Sequence, residues 1–353
     1  MAETSRGVER RASRTGADSE AVNARARAGG RSLPSQIWYV LRRWPIIPLL
    51  VMALLLICGI FAPLIAPVDP IQQSLVSREH PPTWGRGYLD ICYEQEHNVY
   101  PDESQYDLTT TAGKTAYNRA KRTYHSRWAY ILGGDAYGRD VLSRVIFGAR
   151  VSLQVVGVAL ASGVTIGTLM GLVAGYYGGW TDEILMRIVD MWLALPFLLI
   201  ALVIALIFGP KMGTVVLLLA LLAWPPFVRQ VRADALVVRS RDYVQAARIA
   251  GASDLRILIK HVLPGTYSTV LVIASLRVGQ LILAEAALSF LGAGIPDPIP
   301  AWGKSVSEGR AYIETSWWIA FFPGLAIFLV AMSLNFFGDW LRDRLDPRLR
   351  QLD

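Results

Sequence analysis

An all-α polytopic membrane protein is the fold class this sequence predicts, and three observations carry it. Of 353 residues, 53% are hydrophobic, and the mean hydropathy is +0.36; both are high for a soluble chain. Long runs almost free of charge recur along the sequence, each near the ~20 residues a helix needs to span a ~30 Å hydrocarbon core. Lys and Arg concentrate in alternate connections between these runs, as the positive-inside rule requires. Lipid offers backbone groups no partners, so each run reads as a helix that closes its own hydrogen bonds.

The elements follow in order. Residues 1–43 hold Arg6, Arg10, Arg11, Arg14, Arg25, Arg27 and Arg31 with few large apolar side chains, the composition of a disordered basic tail. No apolar region closely follows Arg10-Arg11, so no twin-arginine leader is read there. Residues 44–68 contain the first span, longer than a leader-peptide core and without a small-x-small site after it, hence a retained anchor. Residues 69–150 form a long outer loop. The second span is 151–177, the third 191–210, the fourth 212–228, the fifth 266–295 and the sixth 316–338. Residues 229–264 carry Arg229, Arg232, Arg239, Arg241, Arg248, Arg256 and Lys260, and the tail 339–353 carries Arg342, Arg344, Arg348 and Arg350. Six spans place the tail, this loop and the C-terminus on one side, which the charge makes the cytosol, with both termini there. The five helices of 151–338 form the core.

Local signals refine this. Val141, Leu142, Val145, Ile146 and Ala149 keep helical spacing, with Arg139, Asp140, Ser143, Arg144 and Arg150 between them and Gly138 just before. That reads as an amphipathic elbow at the outer interface, with contact to an external protein as the sharper alternative. Gly163, Gly167, Gly171 and Gly175 recur every fourth residue, a smooth stripe for a neighbouring helix. Gly178-Gly179 followed by Asp182 and Glu183 reads as a helix stop and a new start. Pro196 and Pro225-Pro226 predict kinks or interruptions. Asp190 falls near the start of the third span, and the fifth span carries Arg277 and Glu285. Intramembrane charge faces protein or water, so Glu285, with Ser289 one turn on, either lines a solute path or accepts hydrogen bonds between helices.

The loop 229–264 is more elaborate than a connection needs. Asp242 to Ile249 predicts a helix with a smooth side at Ala246 and Ala247. Gly251 suits the left-handed end of that helix. Ser253 suits the cap of a second helix from Asp254, with Leu255, Leu258, Ile259 and Val262 on one face and Pro264 closing it. This much structure argues for a cytosolic partner over a free solvated loop.

Other classes are disfavoured. The net charge of +7 sits where membrane topology puts it, with no interleaved aromatic platform, which argues against nucleic acid. Cys58 and Cys92 bound little, and His80, His97, His125 and His261 are scattered, so no metal site is expected. There is no Gly-x-x-x-x-Gly-Lys-Ser/Thr loop, no His-Glu-x-x-His and no convincing nucleophilic set, so no catalytic residue is assigned. An ion-gradient-driven secondary transporter is the alternative; it would more usually show chains of intramembrane acids and paired broken helices.

The stretch from Ser240 through Gln245-Ala246-Ala247 and Gly251 to Leu263-Pro264 resembles the EAA loop of permease subunits of ATP-binding-cassette importers. The string 132–150 resembles the Gly-Thr-Asp-x-x-Gly-Arg-Asp-Val-Leu-Ser-Arg signature of the dipeptide/oligopeptide/nickel class, with Gly134 where Thr is usual. The exit 62–70, Leu288-Ser289-Phe290-Leu291-Gly292, Trp302-Gly303 and the tail 338–348 are similar to the same class. The chain thus looks like a C-type permease with the type I importer fold. The resemblance implies ATPase contact through Asp242, Tyr243, Gln245, Ala246, Ala247, Gly251, Ala252, Leu263 and Pro264. It implies as partners a homologous second permease, two cytosolic ATPases and an external solute-binding protein, besides membrane lipid. No cofactor is expected on this chain, ATP and Mg being used by the partner ATPases, and the location is a bacterial or archaeal plasma membrane. Peptides are the default substrate, with glutathione, nickel chelates or oligosaccharides as others within the class. Departures are Gln245 for Glu, His261 for Ile, Gly265 for Asn, and a polar, Tyr-rich insertion at 86–127 with Tyr88, Tyr93, Tyr100, Tyr106, Tyr117 and Tyr124. That insertion reads either as an added cap, a gate or a docking surface for a binding protein, or as a tolerated surface segment.

Overall fold

A computed structural model of the chain describes residues 45–73, 78–82, 107, 109–115 and 130–345. The basic tail 1–43, nearly all of the insertion 86–127, Cys92, His97, His125 and the tail from 346 onward lie outside the described residues. The chain divides into two compact units, Met1–Ile46 and Ile47–Asp353. Apart from the first residue of α1, every helix below belongs to the second.

Helix α1, Ile46–Ile65, is apolar throughout. It distorts at Phe61 (φ −99°, ψ 16°), just before Pro63, whose ring and missing N–H disrupt the last turn. The span is therefore three residues shorter than the expected 46–68. Its exit is tied to the next helix, where the backbone N–H of Val68 donates to Ser143 Oγ at 3.2 Å.

Helix α2, Val141–Tyr177, is one unbroken helix of 37 residues, about 55 Å long. The expected elbow is not a separate element. Residues 141–150 are the first turns of the span itself, so no turn into the membrane intervenes. Asp140 caps the helix, its carboxylate accepting from Ser143 N at 2.7 Å, and Gly178 ends it at φ +68°.

The third crossing departs most from expectation. Helices α3, Gly179–Ala194, and α4, Phe197–Phe208, meet at 81°. Leu195 is extended (φ −85°, ψ 134°), as a residue before proline must be. The expected span 191–210 is thus the last turn of α3, a sharp bend at Leu195-Pro196 and a 12-residue helix, itself about 18 Å long.

Helix α5, Met212–Arg239, runs on through Pro225 and Pro226 rather than breaking there. The expected boundary at 228 is corrected: Arg229, Arg232 and Arg239 are helical, and the loop begins only at Ser240. Next come α6, Asp242–Ile249, and the single turn α7, Asp254–Ile257. A π-helical turn, Leu258–Val262, then leads directly into α8, Leu263–Phe290. After a turn-rich segment come α9, Trp302–Gly309, and α10, Trp318–Leu345. The latter carries seven residues of the expected C-terminal tail (339–345) as helix. Among the described residues, five helices are long and apolar enough to cross a membrane, counting α7 through α8 as one, and the bent pair α3–α4 makes a sixth if it is one span.

Helices α2 and α5 form the most extensive pair, and the glycine stripe is the reason. A Cβ at Gly163 would lie 2.5 Å from that of Ala223, at Gly167 2.5 Å from that of Phe227, and at Gly175 2.6 Å from that of Ala235. Only bare backbone permits this approach. One apolar cluster, with Val155, Ala159, Leu218, Leu219, Leu281 and Leu334, joins α2, α5, α8 and α10. A second, separate cluster gathers Leu172 and Tyr176 of α2, Val231, Ala235 and Val238 of α5, and Val244, Ile257, Leu258 and Val262 of the loop.

Candidate functional site

The second cluster sits under the loop and fixes its shape. Helix α6 begins after extended Arg241 (φ −73°, ψ 147°), whose carbonyl accepts from Val244 N and Gln245 N. Asp242 lies in the first turn and Arg248 in the last, each at the end its charge favours. Gly251 takes φ +80°, and Ala252 N donates back to Ala247 O at 3.1 Å, the bond of a Schellman stop. A Cβ at Gly251 would meet nothing within 4 Å, so conformation alone, not crowding, requires glycine there.

Val244 points inward and is fully buried against the cluster. Asp242, Tyr243, Gln245, Ala246 and Gly251 are exposed, while Ala247, Ala252 and Leu263 are half-buried. Ser253 sits at the start of α7, but its side chain makes no capping bond; its backbone carbonyl accepts from Ile257 N. The expected apolar face of this second helix is only half right. Leu258 and Val262 are buried, but Leu255 and Ile259 are 66% and 54% exposed, and Ile257 is buried in their stead. From Leu258 on, the wider π turn departs from the 3.6-residue register. Pro264 does not close the helix; it stands in the first turn of α8, directly after the π turn. With Ile249, 88% exposed, the loop presents Ile249, Leu255 and Ile259 outward among charged residues.

Polar ties brace the loop from beneath. Gln245 Nε2 donates to Arg239 O at 2.9 Å, a role that a carboxylate cannot take. Arg239 Nη1 donates in turn to the carbonyls of Gly175 and Tyr176 at 3.0 and 2.9 Å, two of the orphan acceptors at the end of α2. Arg232 pairs with Asp182 through both carboxylate oxygens, and Arg229 Nη2 reaches Asp190 Oδ1 at 2.5 Å. Both bind α5 to α3.

At the opposite end of α2 the signature residues do something other than expected. Arg139, Asp140, Ser143 and Arg144 are buried, not a polar face turned to the interface. Asp135 accepts from Tyr137 N and Arg139 N and pairs with Arg139 Nε at 2.5 Å. Arg139 Nη2 reaches Glu308 Oε2 in α9 at 2.6 Å, while Arg144 lies 3.7 Å from Asp135 and 3.9 Å from Glu308. Trp302 of α9 donates its indole N–H to Val145 O at 2.8 Å and fills the space over Gly148. Trp318 of α10 likewise donates to Gly134 O at 3.0 Å. The segment after α8 thus covers the polar side of the first turns of α2, which is why that side is not amphipathic surface. Gly138, at φ +72°, makes the turn that brings Arg139 back to Asp135. Burial pushes the Asp140 carboxyl above its usual range, against the lowering pull of bonds from Ser143 and Tyr130.

Residues 167–351 match the family described as binding-protein-dependent transport system inner membrane component. The chain belongs to that family. Among curated relatives, this permease is 44% identical over 222 residues to the glutathione transport system permease protein GsiD of Pectobacterium atrosepticum, covering 63% of the chain and 74% of the relative. It is 38% identical to the dipeptide transport system permease protein DppC of Alkalihalophilus pseudofirmus, over 69% and 80%. It is 36% identical to the di/tripeptide transport system permease protein DppC of Pseudomonas aeruginosa, over 86% and 87%. Of solved structures, one of the inward-facing MetNI methionine ABC transporter covers 58% of the chain and 97% of its own, at 19% identity and TM-score 0.48. The permease is a multi-pass inner-membrane transport component, and the ion-gradient alternative gives way to that family.

Glu285 and Ser289 of the permease do not open onto a surface. Glu285 is fully buried and Ser289 nearly so, facing Ser152 of α2 within the chain. Of the two readings held open for them, the described conformation fits the acceptor between helices. Sequence reasoning missed Glu308, Asp135 and Tyr176 as partners. Charged Glu308 in a short helix after a Pro-rich loop gave no pairing signal, and Tyr176 passed for the apolar end of a span.

Proposed function

We propose that this permease is the membrane subunit of an ATP-driven, binding-protein-dependent importer of peptides. It pairs with a homologous second permease and two cytosolic ATPases, and it moves substrate by alternating access. The loop side, with its arginines, faces the cytosol. ATP and Mg are held by the partner ATPases, and an external solute-binding protein selects the substrate. The names of the relatives support peptides over the wider class of nickel chelates and oligosaccharides.

One observation carries the reading. On the Arg-rich side, a two-armed helical loop is braced to α2 and α5 yet turns Ile249, Leu255 and Ile259 outward. Exposed apolar side chains on a rigid, charged loop suit a protein partner. Mild-detergent purification of the tagged chain from its native membrane is the test. Recovery of a second six-span permease and of ATPases with phosphate loops is expected; a well-folded chain recovered alone would overturn the proposal.

A further inference from the structure

Besides its seam with α5, which runs into the loop, helix α2 meets the loop through side chains. One side chain touches both arms of the loop. Tyr176, 4% exposed in the last turn of α2, donates its hydroxyl hydrogen to Asp254 Oδ1 at 2.6 Å. The Tyr176 hydroxyl oxygen accepts from Arg248 Nη2 at 3.3 Å, and the Arg248 guanidinium lies 5.6 Å from the ring centroid. Arg248 ends α6 and Asp254 opens α7, on either side of the left-handed Gly251. Both partners are charged, which makes these bonds stronger than neutral ones. Tyr176 belongs to a helix that is unbroken over its 37 residues from the cap at Asp140, and the glycine seam locks it to α5. A displacement applied at Tyr176 therefore acts on a stiff element that ends in the Asp135–Arg139–Glu308 cluster.

We infer that Tyr176 is the positioning residue that passes movement of the coupling loop to α2. The phenol hydroxyl does this by holding Asp254 and Arg248 together; the ring contributes packing that phenylalanine would keep. The inference rests on the proposal that the loop is the contact for ATPases.

The test uses the complete complex, purified from its native membrane into nanodiscs, with ATP and vanadate as the probe. Hydrogen exchange is followed at the loop, residues 242–263, and at the end of α2, residues 170–177. In wild type, trapping is expected to change exchange at both. In Tyr176→Phe the loop still responds, while the response of 170–177 shrinks about tenfold, the factor for one lost charge-assisted hydrogen bond. Asp254→Ala, which removes the acceptor from the exposed arm and leaves α2 intact, gives the same loss, and the double variant loses no more. A Tyr176→Phe complex whose α2 responds as in wild type overturns the inference. Should that variant fail to assemble, Asp254→Ala decides by the same two readouts. Failure of the underlying proposal looks different: wild type itself carries no ATPase, or its loop ignores trapping.

Discussion

Ser152 of α2 donates its hydroxyl hydrogen to Oε2 of Glu285 in α8, 3.1 Å away. One turn along α8, Ser289 donates to Oε1 at 2.8 Å, and Ile295 N donates to the Ser289 oxygen at 3.3 Å. A single carboxyl thus joins two helices and the turn after α8, inside an otherwise apolar cluster. Glu285→Ala strands both hydroxyls and opens a cavity, at a cost of about 3 kcal/mol. Glu285→Gln keeps an acceptor, and the hydroxyls can rotate to suit it, so the cost is about 1 kcal/mol. Thermal unfolding in detergent measures both, and uptake by the Gln variant is expected to persist. Equal destabilisation by the two variants would contradict the hydrogen-bonding role.

The glycine seam makes a sharper prediction. At Gly167 an added Cβ falls 2.6 Å from the Trp224 backbone oxygen, which cannot move without shifting α5. Gly167→Ala is expected to cost about 1–3 kcal/mol by overpacking. On the same helix a Cβ at Gly157 meets nothing within 4 Å, and Gly157→Ala is expected to be neutral or mildly stabilising. Folded yield and melting temperature of the two variants compare them directly.

Much of this was legible in the sequence, and the misses have physical causes. The four-residue glycine period reports its own packing, because no other residue tolerates such an approach. Gly251 was readable because helix ends need a left-handed residue. The elbow was misread because spacing says which side chains share a face, not what covers that face. Arg139 and Arg144 are polar, yet α9 buries them through Glu308, some 169 residues beyond Arg139. The π turn at Leu258–Val262 was likewise invisible. Pro225-Pro226 suggested a break, yet α5 continues through them, whereas Pro196 bends the chain by 81°.

Gly251 is held by conformation alone, so side-chain bulk should matter little there. Gly251→Ala is expected to cost about 1–2 kcal/mol through the left-handed backbone, and Gly251→Asn less, since Asn visits that region more readily. ATPase recovery per permease should follow the same order. If Ala and Asn were equivalent to wild type, the Schellman stop would not be what shapes the loop.

Asp140 gives a pH dependence. Its folded carboxyl titrates above the unfolded one because burial outweighs its hydrogen bonds. Its contribution to stability is therefore fully present below the unfolded value and is lost as pH rises through the folded one. Melting temperatures across the acid range should carry this falling component in wild type and lack it in Asp140→Asn. That variant should also lose about 1 kcal/mol, since the two carboxylate oxygens of Asp140 serve Tyr130 N and Ser143 N separately and an amide keeps only one acceptor. An unchanged pH profile would show that Asp140 is not the group responsible.

Photo-crosslinking from Ile249 is the decisive measurement. A photoreactive amino acid replaces this 88% exposed residue in the native membrane, with Leu206, 85% exposed on the apolar helix α4, as the comparison. The account predicts an adduct between position 249 and an ATPase carrying a phosphate loop, and no such adduct from position 206. Labelling of lipid alone from both positions, in cells that hold the intact complex, would contradict it.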